Sequence, residues 1–226
     1  MNASYRTRPA LGFARFDDCT IVLDVSADRY WRLSAAAGTL LQKATEGAPL
    51  CGTEAGFSQL ARLGFLVADG QSQDDGARFL PGRAATSATA DIFDGEPGAA
   101  PVPPALAGRI AWASMSVRLE LRMLPLRQVL ARYASRRSIP VNGDRPGLAE
   151  LGHTFHQTRR YLPVRPRCLP DSLAFLRIAA SQGYEPSLVF GVRATPFAAH
   201  CWVQDGSRVL TDRVDHVRRF RPLLVL

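Results

Sequence analysis

The chain is poor in lysine. Lys43 is the only one, so all but one of its 28 basic residues are arginine, and the formal net charge is +8. The arginines are scattered, with short clusters at Arg136-Arg137, Arg159-Arg160 and Arg218-Arg219. A nucleic-acid protein concentrates such charge along one element, so no nucleic-acid partner is expected. Long apolar runs are also missing. None reaches the ~18 residues of a membrane span, and the start, Met1-Asn2-Ala3-Ser4-Tyr5-Arg6, has no apolar signal core. The expected location is the cytoplasm, away from membranes. The four cysteines, Cys19, Cys51, Cys168 and Cys201, contain no Cys-x-x-Cys pair. That argues against structural zinc and fits free thiols in a reducing compartment. A Gly-rich phosphate loop is absent too, so no cofactor is assigned to this chain.

What is present is a chain of 226 residues, 46% hydrophobic, enough to build the core of one or two domains. Up to residue 68 it reads as short strands and two helices. Leu11 to Phe16 and Thr20 to Val25 flank an Asp17-Asp18 turn. Tyr30 to Leu33 form a third strand, and Ser34 caps a helix that Gly47 closes. A second helix from Thr53 or Glu54 carries Phe57, Leu60 and Leu63 on one face and stops at Gly64. These elements predict a small winged-helix-like module over 1–68. Residues 69–108, rich in Gly, Ala, Pro, Asp and Ser, read as a linker, with breakers at Gly95-Glu96-Pro97-Gly98 and Pro101-Val102-Pro103-Pro104. Residues 109–226 open with helical periodicity at Val117, Leu121, Leu124 and Leu130, interrupted by Pro125. A helix from Leu148 to Tyr161 puts His153 and His156 on one face, without an acidic or cysteine partner nearby. Helices ahead of an antiparallel sheet give an α+β fold class.

The chemistry concentrates in the last third. Cys168 precedes Leu169, Leu173, Leu176, Ile178 and Ala180, which recur at helical spacing, with Pro170, Asp171 and Ser172 in the first turn. A helix start carries about half a positive charge and favours thiolate over thiol. With Arg165 and Arg167 beside it, Cys168 is expected below the ~8.5 of a free thiol. His200 lies in the strand-like run Phe197 to Val203, and Asp212 ends the run Arg208 to Asp212. Asp205-Gly206 between them signals a hairpin. A three-residue loop, Asp205-Gly206-Ser207, would pair Gln204 with Arg208 and set His200 directly opposite Asp212, with Cβ atoms ~5 Å apart. In that register Trp202 and Leu210 share their face, and Gly206 or Ser207 takes positive φ. Cys168 as nucleophile, His200 as base and Asp212 as the group orienting it make a cysteine hydrolase. Cys201 reads as core packing.

With these residues in hand, the chain resembles the lasso-peptide maturation proteases, the B proteins, whose catalytic half is a transglutaminase-like, papain-related cysteine protease. The matching motifs are Cys168-Leu169-Pro170 with Ser172-Leu173, Val189-Phe190-Gly191-Val192, Ala199-His200-Cys201-Trp202-Val203 and Val209-Leu210-Thr211-Asp212. Cys201 stands where a small or apolar residue is more usual. The resemblance implies a fused N-terminal module that binds the leader of a lasso precursor peptide, and Tyr30, Trp31, Phe57 and Leu60 are candidate contacts. It further implies removal of that leader before an asparagine-synthetase-like cyclase closes the core, with any ATP requirement belonging to the cyclase. Two rivals remain, beside a purely leader-binding scaffold with a dead protease half, which the intact triad argues against. One is an acyltransferase or transglutaminase using the same three residues. The other is a winged-helix DNA-binding regulator, which a segment 53–63 with Arg62 as its single arginine serves poorly.

Overall fold

A computed structural model describes residues 5–68, 86–93, 102–135 and 147–226. The breaker stretch at 95–98, Pro101 and the Arg136-Arg137 cluster lie outside the described residues. The N-terminal part runs through strands β1 (Tyr5–Thr7), β2 (Leu11–Arg15), β3 (Cys19–Asp24) and β4 (Arg29–Ser34), helices α1 (Ala35–Thr45) and α2 (Phe57–Arg62), and strand β5 (Leu66–Ala68). β2, β3 and β4 form an antiparallel sheet in that order, and β1 pairs separately with β5. Ser34 caps α1 by accepting the Ala37 N–H, and Gly47 ends it at a φ of 74°. The second helix starts at Phe57, later than predicted. Glu54 instead accepts the Cys51 N–H and pairs with Lys43, and Gly56 sits at φ 93°, outside helical space. Nothing beyond this mixture of short strands and two helices speaks for a winged helix.

The second part comprises β6 (Ala90–Asp91), α3 (Pro104–Met123), α4 (Leu126–Ala134), α5 (Leu148–Arg160), α6 (Cys168–Ser181), β7 (Ser187–Arg193), β8 (Ala198–Asp205), β9 (Arg208–Val209), α7 (Val214–Val217) and β10 (Arg221–Val225). Five strands form one sheet in the order β10-β7-β8-β9-β6, antiparallel except for the β6–β9 pair. Pro125 splits α3 from α4, because it can neither donate a backbone hydrogen bond nor let residue 124 stay helical. The expected linker is not linker throughout. Residues 90–91 are the edge strand of this sheet, Ile92 is buried, and the Asp91 carboxylate accepts the N–H groups of Phe93 and Val214. α3 also begins before the expected boundary at 109, with Pro104 in its first turn, where a missing N–H costs nothing.

One hydrophobic core spans both parts. Ala10, Ala14, Ile21 and Leu23 belong to the same buried cluster as Ile110, Val117, Phe175, Phe190 and Leu224. The opposite face of the N-terminal sheet, through Leu11, Val22 and Leu33, packs on Leu40, Leu41, Leu60 and Phe65. β3 is therefore covered on both faces and all six of its residues are buried. That explains why Thr20-Ile21-Val22-Leu23 reads as a continuous β-branched and apolar run instead of an alternating one. Contact along this seam is close. A Cβ on Gly12 would lie 2.6 Å from the Leu223 carbonyl oxygen and 2.8 Å from Leu224 Cβ.

Candidate active site

Cys168 is the first residue of α6, and Arg167 holds the extended N-cap position ahead of it. The Arg167 side chain does not cap. Asp171 fixes this helix start instead. One of its carboxylate oxygens accepts the Arg167 N–H at 3.0 Å, and the other accepts Arg118 at 2.7 Å and the buried Arg159 at 2.8 Å. One side chain thus ties α3, α5 and the start of α6 together around the thiol. On the other side, α6 packs on β8, which carries Cys201 and His200.

The His–Asp pair forms by a route different from the predicted one. β8 and β9 pair Asp205 with Arg208 and Gln204 with Val209, so the turn has two residues, Gly206 and Ser207, with Gly206 at φ 54°. The one-residue difference from the expected register inverts the faces. Leu210 lies in the main core with Cys201 and Val203, and Val209 packs with Trp202. Asp212 does not sit across a ladder from His200. The ladder stops at Val209, Leu210 still donates to the Val203 carbonyl, and the Thr211 hydroxyl accepts the Val203 N–H. The chain then bends, and Asp212 Oδ2 reaches His200 Nε2 at 2.5 Å. That leaves Nδ1 as the imidazole nitrogen available to the thiol.

Two further groups hold Asp212. His216 Nδ1, on α7, bonds Oδ2 at 2.9 Å, and the Arg213 N–H donates to Oδ1 at 2.6 Å. The His200 ring stacks on Trp202 at 6.1 Å and lies 5.2 Å from Phe220. Gly191 makes room for this wall, since a Cβ there would come within 2.8 Å of the Trp202 ring.

The electrostatics follow from these contacts. A hydrogen bond from the Cys201 thiol holds the Cys168 thiol down at about 4, against burial, with the His200 hydrogen bond and charge adding to the effect. Burial pushes His200 down, but its hydrogen bonds to Asp212 and Cys168 outweigh this and lift it to about 9. Burial would raise Asp212, yet His200, His216 and the Arg213 N–H bring it to about 2. Cys201 moves well above its ordinary 9.0, because its proton is shared with the Cys168 thiolate and because it is buried. Thiolate, imidazolium and carboxylate in line make a charged nucleophile, a proton donor and its orienting group.

The remaining sequence candidates separate. Leu60 is fully buried in the N-terminal core and cannot touch a partner, which corrects its candidacy. The reason is that its face of α2 closes over the sheet. Trp31 and Phe57 are half-buried against that core, with edge-on contacts to Phe65 at 6.4 Å and Tyr5 at 5.2 Å. Tyr30 points the other way. It packs on the shared core and meets Phe197 edge-on at 5.6 Å. Burial, then the charges of Cys201 and Cys168, push its hydroxyl well above the usual range. His153 and His156 pack against Phe93, and burial pushes His156 below its ordinary value. Neither belongs to a group of potential metal ligands among the described residues. The one such group is His200, Asp212 and His216, whose ligand atoms lie within 4.8 Å of one another, and its internal bonds are those that orient His200. Sequence reasoning placed Asp171 in the first turn but missed its partners Arg118 and Arg159. The pairs are 53 and 12 residues apart, and no local pattern announces them. His216 had a signal, four residues after Asp212 on a short helical turn.

A cysteine opening a helix, a histidine on the strand packed against it and an aspartate just beyond the sheet are the parts of a thiol enzyme. Residues 111–225, just over half of the chain, match the model of the Transglutaminase-like superfamily, and the chain belongs to that superfamily. It is also similar to the Microcin J25-processing protein McjB of Escherichia coli, 44% identical over 45 residues, which cover 20% of this chain and 22% of that protein. The match thus spans about a fifth of the relative's length. No solved structure matches significantly.

Proposed function

We propose that this chain is a cysteine peptidase that removes the leader from a ribosomally made lasso-peptide precursor. The observation that carries the reading is the linked set Cys168, His200 and Asp212, with a thiol held near 4 beside an imidazole held near 9. The likeness to a microcin-processing protein supports the substrate class.

In this reading the Cys168 thiolate attacks the carbonyl at the leader–core junction. Backbone N–H groups at the start of α6, that of Cys168 among them, stabilise the oxyanion. The His200 imidazolium gives its proton to the departing core amine while Asp212 holds the ring. The leader remains as a thioester on Cys168. His200, now neutral, takes a proton from the water that hydrolyses it. The N-terminal module binds the leader as an added strand along β4, an edge strand of its sheet, beside Tyr30 and Trp31. The core then passes to an asparagine-synthetase-like cyclase, and ATP acts there.

The test is mass spectrometry of purified protein mixed with the precursor encoded beside its gene, with and without the cyclase. Free leader and free core are expected, and neither with Cys168→Ala. A leader joined to an added amine would establish acyl transfer instead. An intact precursor with cyclase and ATP present would refute the peptidase reading.

A further inference from the structure

A groove of ≈ 1060 Å³ opens beside Cys168. That is at the top of the range for small-molecule sites and has room for several peptide residues. Its walls come from both parts of the chain. On one side is the β3–β4 turn, Ser26, Ala27 and Asp28. On the other are the end of α3 and the start of α4, with Leu121, Leu124 and Leu126. The approach to α6 forms the floor. Four arginines line it, and they are not equivalent. Arg118 is committed to Asp171 and to the Ser114 carbonyl. Arg122, Arg165 and Arg167 are exposed, and their guanidinium groups have no partner among the described residues. Asp28 is the one acidic side chain on the wall. Three unpaired guanidinium groups against one carboxylate, set among leucines, leave the groove without the counter-charge that planar cationic forks recognise.

We propose that this groove is a substrate subsite for a peptide segment in which acidic side chains alternate with apolar ones, next to the bond that Cys168 attacks. Leucine-lined surface takes the apolar side chains, and Arg122, Arg165 and Arg167 take the carboxylates. The β3–β4 turn makes the N-terminal module a wall of the catalytic cleft as well as a leader-binding unit. The proposal rests on the peptidase reading, in that it assigns the groove to the substrate of Cys168.

Protection of Cys168 from iodoacetamide tests it, read by peptide mass mapping of the full chain. The probes are acetyl-Leu-Glu-Leu-Glu-amide and its Gln and Lys counterparts. If Cys168 alkylates no faster than Cys51 at mildly acid pH without peptide, the activated nucleophile fails, and with it the peptidase reading. If Cys168 is fast, the Glu peptide should half-protect at about tenfold lower concentration than the Gln peptide, and the Lys peptide should be weakest. In Arg122→Gln/Arg165→Gln the Glu preference should fall to about twofold or less, each protein's peptide-free rate serving as its own reference. Asp28→Asn, on the opposite wall and compatible with the left-handed φ of 48° there, should strengthen the preference. Equal protection by all three peptides overturns the proposal. So does a Glu preference that both variants leave unchanged.

Discussion

Asp212→Asn is the most informative single change at the site, because one carboxylate holds His200 and His216 together. In the native protein the 2.5 Å bond from Asp212 to His200 joins side chains that are 22% and 15% exposed. A charged hydrogen bond in such surroundings is worth ~2–3 kcal/mol, or about two pKa units. His200 should then fall from about 9 to roughly 7. A raised histidine keeps its proton below its own pKa and loses it as pH rises through that value. The native thiolate–imidazolium pair therefore spans about 4 to about 9, and in the variant its upper edge retreats by about two units. At about pH 8 the imidazolium fraction drops from roughly nine-tenths to roughly one-tenth, and in the proposed mechanism proton donation to the leaving amine drops with it. The ratio of iodoacetate to iodoacetamide rates at Cys168 reports the imidazolium, because only the anion is drawn to it. The ratio should fall with a midpoint near 9 in the native protein and near 7 in the variant. An unshifted midpoint would refute the claim that Asp212 sets the charge on His200.

Three further outcomes are expected. Cys201→Ala should raise the Cys168 midpoint from about 4 by about one unit, seen in thiolate ultraviolet absorbance against Cys168→Ala, and Cys201→Ser should recover part of the shift. No change would mean the Cys201 thiol does not donate to Cys168. Asp171→Ala should cost ~3 kcal/mol in urea unfolding, because it strands Arg159, whose side chain is 8% exposed. A midpoint within error of native would contradict the bridging role of Asp171. Gly12→Ala should cost ~1–3 kcal/mol, since a backbone carbonyl 2.6 Å away cannot rotate aside. The whole chain should still unfold in one transition, and two separate transitions would argue against a shared core.

The elements were legible where a local cause acts alone. The capping hydroxyl of Ser34, the break at Pro125 and the helix opening at Cys168 each follow from one residue's chemistry. That Cys168, His200 and Asp212 come together was legible from type and order, but the geometry joining His200 to Asp212 was not. Turn residues fix a ladder's register only to within a residue, and here the decisive step is a bend after Val209 that no hairpin rule describes. Asp171 was visible only as a first-turn acid, because its partners come from other helices. Leu60 and Tyr30 looked alike as apolar or aromatic side chains near a surface. One closes the module's own core and the other faces the transglutaminase-like half. Which face of a sheet meets a neighbour is decided by tertiary packing, and β3, covered on both sides, carries no alternation to reveal it.

The double coverage of β3 bears on inheritance. A module that can be traded between relatives needs a polar outer face that any host tolerates. Here Ala14, Ile21 and Leu23 are fitted to Phe175, Phe190 and Leu224. A substitution on this face of the sheet alters the surface on which the transglutaminase-like half rests, and drift in that half alters the sheet. In this lineage the two parts must change in step. A hybrid made by exchanging the first 68 residues with those of a distant relative would need its seam redesigned before it could be soluble.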